Sequence, residues 1–225
     1  MMKRGKKYKE VVNKIDKKKG YSIEEALKLV VEGKIAKFDE SVEVHLGLNI
    51  DAKKGDQQVR GSITLPHGTG KSKRIAVVTS TKADEAKKAG ADVIGDESLI
   101  ESIKKGEIDF DILVATPEMM PKLAQVARVL GPKGLMPNPK TDTVTEKIEE
   151  TVTMLKKGKL NFKNDKTGGI HQLVGKVSFG EDKLKENFEA FITAIDKSKP
   201  EGVKGQLIKK IVICSTMGPG VKIER

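Results

Sequence analysis

The chain has 225 residues, 43 of them Lys or Arg against 32 Asp or Glu, a net charge of +11 and a hydrophobic content of 37%. That length suits one large or two small domains with real cores, and a chain with no Trp, two Tyr and six Phe must build them mainly from aliphatic side chains. The longest apolar runs (IAVV, ILVA, IVIC) are far short of the ~20 residues that cross a bilayer, and a single cysteine, Cys214, allows no internal disulfide.

The first twenty residues hold nine Lys or Arg and lack the apolar core of a secretory signal. Tyr8, Val11, Val12 and Ile15 recur at helical spacing, which predicts an amphipathic helix with a lysine-rich outer face. Ser22-Ile23-Glu24-Glu25 has the spacing of a capping box, Leu27, Val30 and Val31 supply an apolar face, and Gly33 is placed to end the helix. The stretch from Val42 to Ile50 then alternates strictly. Val42, Val44, Leu46, Leu48 and Ile50 point one way; Glu43, His45, Gly47 and Asn49 point the other. This is a strand with one buried and one wet face, and its partners are expected partly among the last sixty or so residues. After the turn DAKKGD, Val59, Gly61, Ile63 and Leu65 share a face, and strand, turn and strand predict a hairpin-like pair.

Pro66-His67-Gly68-Thr69-Gly70 interrupts the pattern and marks a linker. The following GTGKS is not a phosphate loop: Leu65 stands where the first glycine is needed, and a strand, not a helix, comes next. From Arg74 the pattern is strand (RIAVVTS), helix (KADEAKKAG), strand (ADVIG), helix (ESLIESIKKG), strand (DILVATP) and a helix from about Glu118 to Leu130. Continuous apolar strands alternating with helices predict a parallel sheet covered on both faces. The first strand turns through Ser80-Thr81-Lys82 without the GxGxxG that admits a pyrophosphate, so a dinucleotide enzyme loses its main support. A helix from Val144 to Gly158 follows. Further on come a strand at Lys159–Lys163, an alternating run through Leu173, Gly175, Val177 and Phe179, and a long helix with Leu184, Phe188, Phe191, Ile192 and Ile195 as its stripe. A core strand from Lys210 to Thr216 closes the series. Cys214 belongs to this apolar run and reads as a small core residue.

Charge divides unevenly: residues 1–67 carry net +5, residues 68–158 net +1 and residues 159–225 net +5. Two basic flanks around a nearly neutral centre are natural if the flanks fold together, and a polyanion such as nucleic acid is their obvious partner. His45, His67 and His171 lack metal-ligand spacing. No metal, cofactor or catalytic constellation is expected.

Leu130–Lys140, LGPKGLMPNPK, combines three prolines and two glycines with two lysines and no acid. Its Gly131–Gly134 matches the GxxG of a KH domain only formally, because Met136-Pro137-Asn138-Pro139 forbids the helix that must follow. As a string it closely resembles the hallmark of the bacterial large-subunit ribosomal protein L-one family. KFDESVEV, DQQVRGSITLPHGTGK, AGAD, FDILVATP, NDKTGGIH and STMGPG are similar to that family in the same order, so the resemblance spans almost the whole chain.

The resemblance implies a mixed α/β and α+β chain of two domains. The first is a discontinuous α+β sandwich from both chain ends, residues 1–67 plus 159–225; the second is an inserted Rossmann-like parallel α/β domain, residues 68–158. It also implies a cytoplasmic, ribosome-bound protein, monomeric off the ribosome. Such a protein binds large-subunit rRNA, forms the mobile stalk, assists release of deacylated tRNA from the exit site and represses its own mRNA through the leader. The matching RNA-binding positions are Lys37, Phe38, Ser41 and Glu43, then Lys166, Thr167 and His171, then Ser215, Thr216, Met217 and Gly218. Secondary RNA contacts fall on Lys133, Asn138 and Lys140.

Lysines neutralise phosphates, Phe38 and Met217 can cover a ribose or base, and hydroxyls and the Gly218 N–H suit 2′-hydroxyls. Glu43 can accept from a 2′-hydroxyl or a base amino group. The family usually has proline where Leu173 stands, which is the sequence's one departure. A general polyanion-binding protein and a Rossmann-type enzyme are the alternatives.

Overall fold

The computed structural model describes residues 5–16, 19–71, 73–80, 82–139, 142–203 and 205–224. Ser72, Thr81 and Lys140, the last a candidate RNA contact, lie outside them. Two compact units emerge: residues 1–70 with 160–225, and residues 71–159.

In the first unit, helix α1 (Lys6–Asn13) buries none of its own residues. It ends before Ile15, which is buried beyond it, while Val11 packs against the core only in part. Helix α2 (Ile23–Glu32) starts on the expected capping box: Ser22 Oγ accepts from Glu25 N, and Glu25 returns its carboxylate to Ser22 N. Gly33 closes it, where a side chain would press on the Leu29 carbonyl and Val11.

Strand β1 (Ser41–Leu48) buries every second residue. It takes both neighbours from the end of the chain: β7 (Gly169–Lys176) on one side and β8 (Ile208–Ser215) on the other, both antiparallel. Strand β9 (Val221–Ile223), which the sequence pattern does not announce, completes the order β7-β1-β8-β9. Val42, Val44, Leu46 and Leu48 enter one core with α2 and with Leu184, Phe188, Phe191 and Ile195 of helix α8 (Glu181–Lys197).

The hairpin expected after β1 does not form. Strand β2 (Arg60–Thr64) pairs instead with β6 (Lys159–Lys163) in a separate two-stranded sheet. The intervening chain contains a 3₁₀ turn at Gly55–Gln57 and is too long to impose the register of a tight hairpin. Val59, Leu65, Leu160 and Phe162 bring this small sheet into the same core, with Phe162 edge-on to Phe191 at 6.0 Å. A Cβ at Gly61 would lie 2.8 Å from the Phe162 ring, so only glycine admits it.

The alternation expected through Leu173, Gly175, Val177 and Phe179 is also displaced. Val42 faces Gly175 while Glu43 faces Leu173, so Val174 is an extra residue in β7 and is buried. The strand then ends in a 3₁₀ turn, Val177–Phe179. This bulge lies on the edge strand of the sheet, where the ladder can kink without a second partner to disrupt.

The second unit is built on a parallel sheet, β4-β3-β5 (Val93–Gly95, Ile75–Val78, Ile112–Ala115). Strand β3 is buried throughout because it serves two cores. Ala76 and Val78 meet Ile100 and Ile103 of helix α4 (Glu97–Lys105), whereas Ile75 and Val77 meet Ala86 of α3 (Ala83–Lys88) and Val152 and Leu155 of α7 (Ile148–Lys156). The helix expected at 118–130 is a run of single turns, with α5 (Met120–Leu123) and α6 (Ala127–Leu130) joined through 3₁₀ segments. Pro121 has no N–H to continue a ladder. Helix α7 starts later than expected because Thr143-Val144-Thr145 runs beside β5: Ala115 N donates to the Thr143 carbonyl, and Thr145 N to that of Ala115.

Candidate nucleic-acid interface

The clearest organising group in the first unit is a residue that pattern reading passes over. Glu40, immediately before β1, is 0% exposed. Its Oε1 accepts from Ile35 N at 2.8 Å and Ala36 N at 2.6 Å, and its Oε2 accepts from Met217 N at 3.3 Å. Burial alone raises its pKa. The Ser215 hydroxyl and the Ala36, Ile35 and Met217 N–H groups outweigh that and leave the carboxyl below its ordinary range. One carboxylate thus fixes the segment that carries Lys37 and Phe38 against the turn that carries Met217.

Phe38 and Met217 emerge from this clamp 55% and 53% exposed, two of the three large hydrophobic side chains exposed among the described residues. Between them the backbone is stitched. Thr216 N donates to Ser41 O at 3.0 Å, and Ser41 N donates to Thr216 Oγ1 at 3.0 Å. On the other side of the segment, Asp39 accepts from the backbone and hydroxyl of Ser178, which holds its carboxyl below the usual range.

Two expectations at the STMGPG turn need correction. Ser215 is 3% exposed, and its hydroxyl serves the buried Glu40, so its side chain is not a surface contact. The Gly218 N–H is engaged by the Ser215 carbonyl at 3.1 Å and is not an open donor. Glycine is needed there for closeness, since a Cβ would lie 2.5 Å from Ser215 Oγ. Thr216, moreover, supports Ser41 through the same hydroxyl that the sequence offers to RNA.

The wet face of β1 carries Glu43 and His45, and the structure joins to it the NDKTGGIH segment. His171 stands directly opposite His45, with Nδ1 to Nδ1 at 2.9 Å. The turn before it is organised by Asp165, whose Oδ1 accepts from Thr167 N, Thr167 Oγ1 and Gly169 N at 2.7–2.8 Å. The Gly169 amide and then the Thr167 hydroxyl hold the Asp165 carboxyl down to about 2. Lys166, Thr167 and His171 are exposed at this end. Cys214 is half-buried on the outward side of β8 against His45 Nε2 at 3.2 Å, not in the core.

In the second unit, the glycine- and proline-rich loop folds onto its own core. Leu135 and Met136 pack against the α4 side, and Asn138 N and O are both tied to Thr143. Lys133 and Asn138 are exposed.

No group of three or more His, Cys, Asp or Glu among the described residues is arranged to hold a metal ion. No helix among them is long and apolar enough to cross a membrane.

The model of the ribosomal protein L1p/L10e family matches residues 30–219. Over all 225 residues the chain is 52% identical to the large ribosomal subunit protein uL1 of Mycoplasma capricolum subsp. capricolum and 51% identical to that of Mycoplasma mycoides subsp. mycoides, covering each in full. It is 50% identical over its full length to the same protein of Mesoplasma florum, of which it covers 99%.

Proposed function

This chain belongs to the ribosomal protein L1p/L10e family, structural ribosomal proteins and not enzymes, and from that premise we propose that it binds large-subunit rRNA through the exposed face of its first unit. It is a ribosome-bound constituent of the large subunit, and its place of work is therefore the cytoplasm. Within that role we assign it to the mobile stalk, where it assists release of deacylated tRNA from the exit site; it represses its own mRNA through a similar RNA site and is a monomer off the ribosome. Residues 1–67 plus 159–225 act as the RNA-binding domain, and residues 68–158 as an inserted Rossmann-like domain whose loop at Lys133–Lys140 adds weaker contacts.

The observation that carries the reading is the Glu40 clamp. It spends a buried carboxylate to hold Phe38 and Met217 out in solvent, where they cover no core and are available to a ribose or base. Lys37 and Lys166 supply phosphate neutralisation at the exposed segments, and a net +5 on each flank supplies the long-range attraction.

Titration of the protein with a large-subunit rRNA fragment and with unrelated RNA of equal length, across a salt series, tests this. Affinity for both should fall with salt while a ratio on the order of 10³ or more in favour of the rRNA persists. Equal affinity for the two RNAs would make the chain a general polyanion binder.

A further inference from the structure

The face assigned to RNA contains two carboxylates, Glu43 and Asp165, beside two histidines and a thiol. Their hydrogen bonds run in one direction. Burial, then the Glu43 charge, push the Cys214 thiol above its ordinary pKa, so it keeps its S–H and is a donor. Asp165, held to about 2, is an acceptor only. With those ends fixed, the hydrogens between them follow. Cys214 S–H donates to His45 Nε2 (3.2 Å), and His45 Nδ1–H donates to His171 Nδ1 (2.9 Å). His171 Nε2–H then faces Asp165 Oδ2 at 3.6 Å. His171 is thus oriented from both sides, by His45 and by Asp165.

This chain of bonds leaves one ring nitrogen able to take a proton. His171 Nδ1 is occupied by His45 Nδ1–H, so a third ring proton, added to the two of the neutral pair, must land on His45 Nε2, which accepts only a weak thiol bond. There it lies 4.0 Å from Glu43 Oε2. A fourth has no place without breaking the 2.9 Å contact.

We propose that RNA binding at this face takes up one proton from solvent at the His45–His171 pair, with His45 and Asp165 as positioning residues for His171. The inference rests on the reading of this face as the RNA surface. The added proton forms an N–H bond at His45 Nε2, the thiol rotates to present sulfur as acceptor, and no other bond changes.

The electrostatics favour coupling. In the free protein, burial first and then His171 hold the His45 pKa below its ordinary value, and Glu43 only partly offsets them. By the alternation of buried residues, Lys210 of β8 and Lys222 of β9 share the outward face, and Lys166 lies in the adjoining turn. Glu43 favours a further positive charge on His45. A phosphate backbone drawn over the face by Lys166, Lys210 and Lys222 brings negative charge to the pair and favours its protonated form. Affinity therefore increases as pH falls from the bound pKa to the free one and is flat outside that window. The device also accounts for an acidic Glu43 on a surface meant for a polyanion.

Calorimetry of the full chain with the rRNA fragment, at neutral pH and fixed salt in buffers of different ionisation enthalpy, measures the protons directly. The expected result is net uptake of up to one proton, with affinity rising by at most about tenfold for each pH unit of acidification. In His45→Gln, which keeps a polar partner for His171 but does not titrate, uptake and slope should both be lost. Specific binding with no proton uptake by the wild-type protein overturns the coupling and leaves the RNA face standing, as does equal uptake by His45→Gln. Failure to prefer the rRNA fragment at every pH overturns the face itself, and the coupling with it.

Discussion

The two units each centre on a sheet, and the sheets differ in how many faces they can spare. Strand β3 of the second unit is consumed on both sides, Ile75 and Val77 in one core and Ala76 and Val78 in another. Strand β1 of the first is consumed on one side only, which leaves Glu43 and His45 outward and lets β7 and β8 add His171 and Cys214 beside them. A parallel sheet packed on both faces can carry function only at its ends and loops. An antiparallel sheet with a wet face can carry it across a surface, and an extended RNA needs a surface. This comparison supports the proposal that the main RNA site lies on the first unit, with the second unit's loop as a lesser contact.

The harshest way to break the comparison is to damage β3. Ile75→Ala should cost about 2–5 kcal/mol of the second unit's stability, read by chemical denaturation, while rRNA affinity falls little. A large loss of affinity in a protein whose first unit remains folded would place the main contacts elsewhere. Next comes Glu40→Ala, which strands the Ile35, Ala36 and Met217 N–H groups. About 2–3 kcal/mol of stability should be lost, with specific RNA binding lost alongside it. Because the folded pKa of Glu40 is depressed, its contribution is present above its unfolded value and disappears as pH falls through the folded one. Acid should therefore loosen the Phe38–Met217 region, visible as earlier exchange of the Ala36 and Met217 amides.

Met217→Ala touches the exposed face alone. It should weaken rRNA binding by about 1–3 kcal/mol and leave the denaturation midpoint within about 0.5 kcal/mol of wild type. Thr216→Val is the less clean probe, since its hydroxyl also holds Ser41 N–H. The smallest effect should come from Lys133→Ala in the second unit. It should reduce affinity by less than about 1 kcal/mol and the salt slope by about one contact.

Much of this contrast is legible in the sequence. Strict alternation from Val42 announces one wet face, and the unbroken IAVV of β3 announces none. The capping box at Ser22 and Glu25 is legible because its bonds are local. What escapes is set by distance along the chain. The pairing of β2 with β6 joins segments about a hundred residues apart, so the nearer β1 is the natural but wrong choice. Glu40 reads as one more surface acid in KFDESVEV, because the N–H groups that make it a clamp come partly from residue 217. His45 and His171 look like unrelated histidines until the β1–β7 register sets them opposite each other. The bulge at Val174 then explains why simple alternation puts Leu173 on one face with Gly175, whereas Leu173 lies opposite Glu43 and Gly175 opposite the buried Val42.

The most direct test is paired: Phe38→Ala with Met217→Ala in one protein, titrated beside wild type against the rRNA fragment and against unrelated RNA of equal length at one salt concentration. The expected result is a loss of at least tenfold for the rRNA fragment and almost none for the unrelated RNA, because phosphate attraction remains while the fitted contacts are gone. Equal losses on both RNAs, or none on either from a folded protein, would contradict the claim that the exposed Phe38–Met217 face of the first unit reads the RNA.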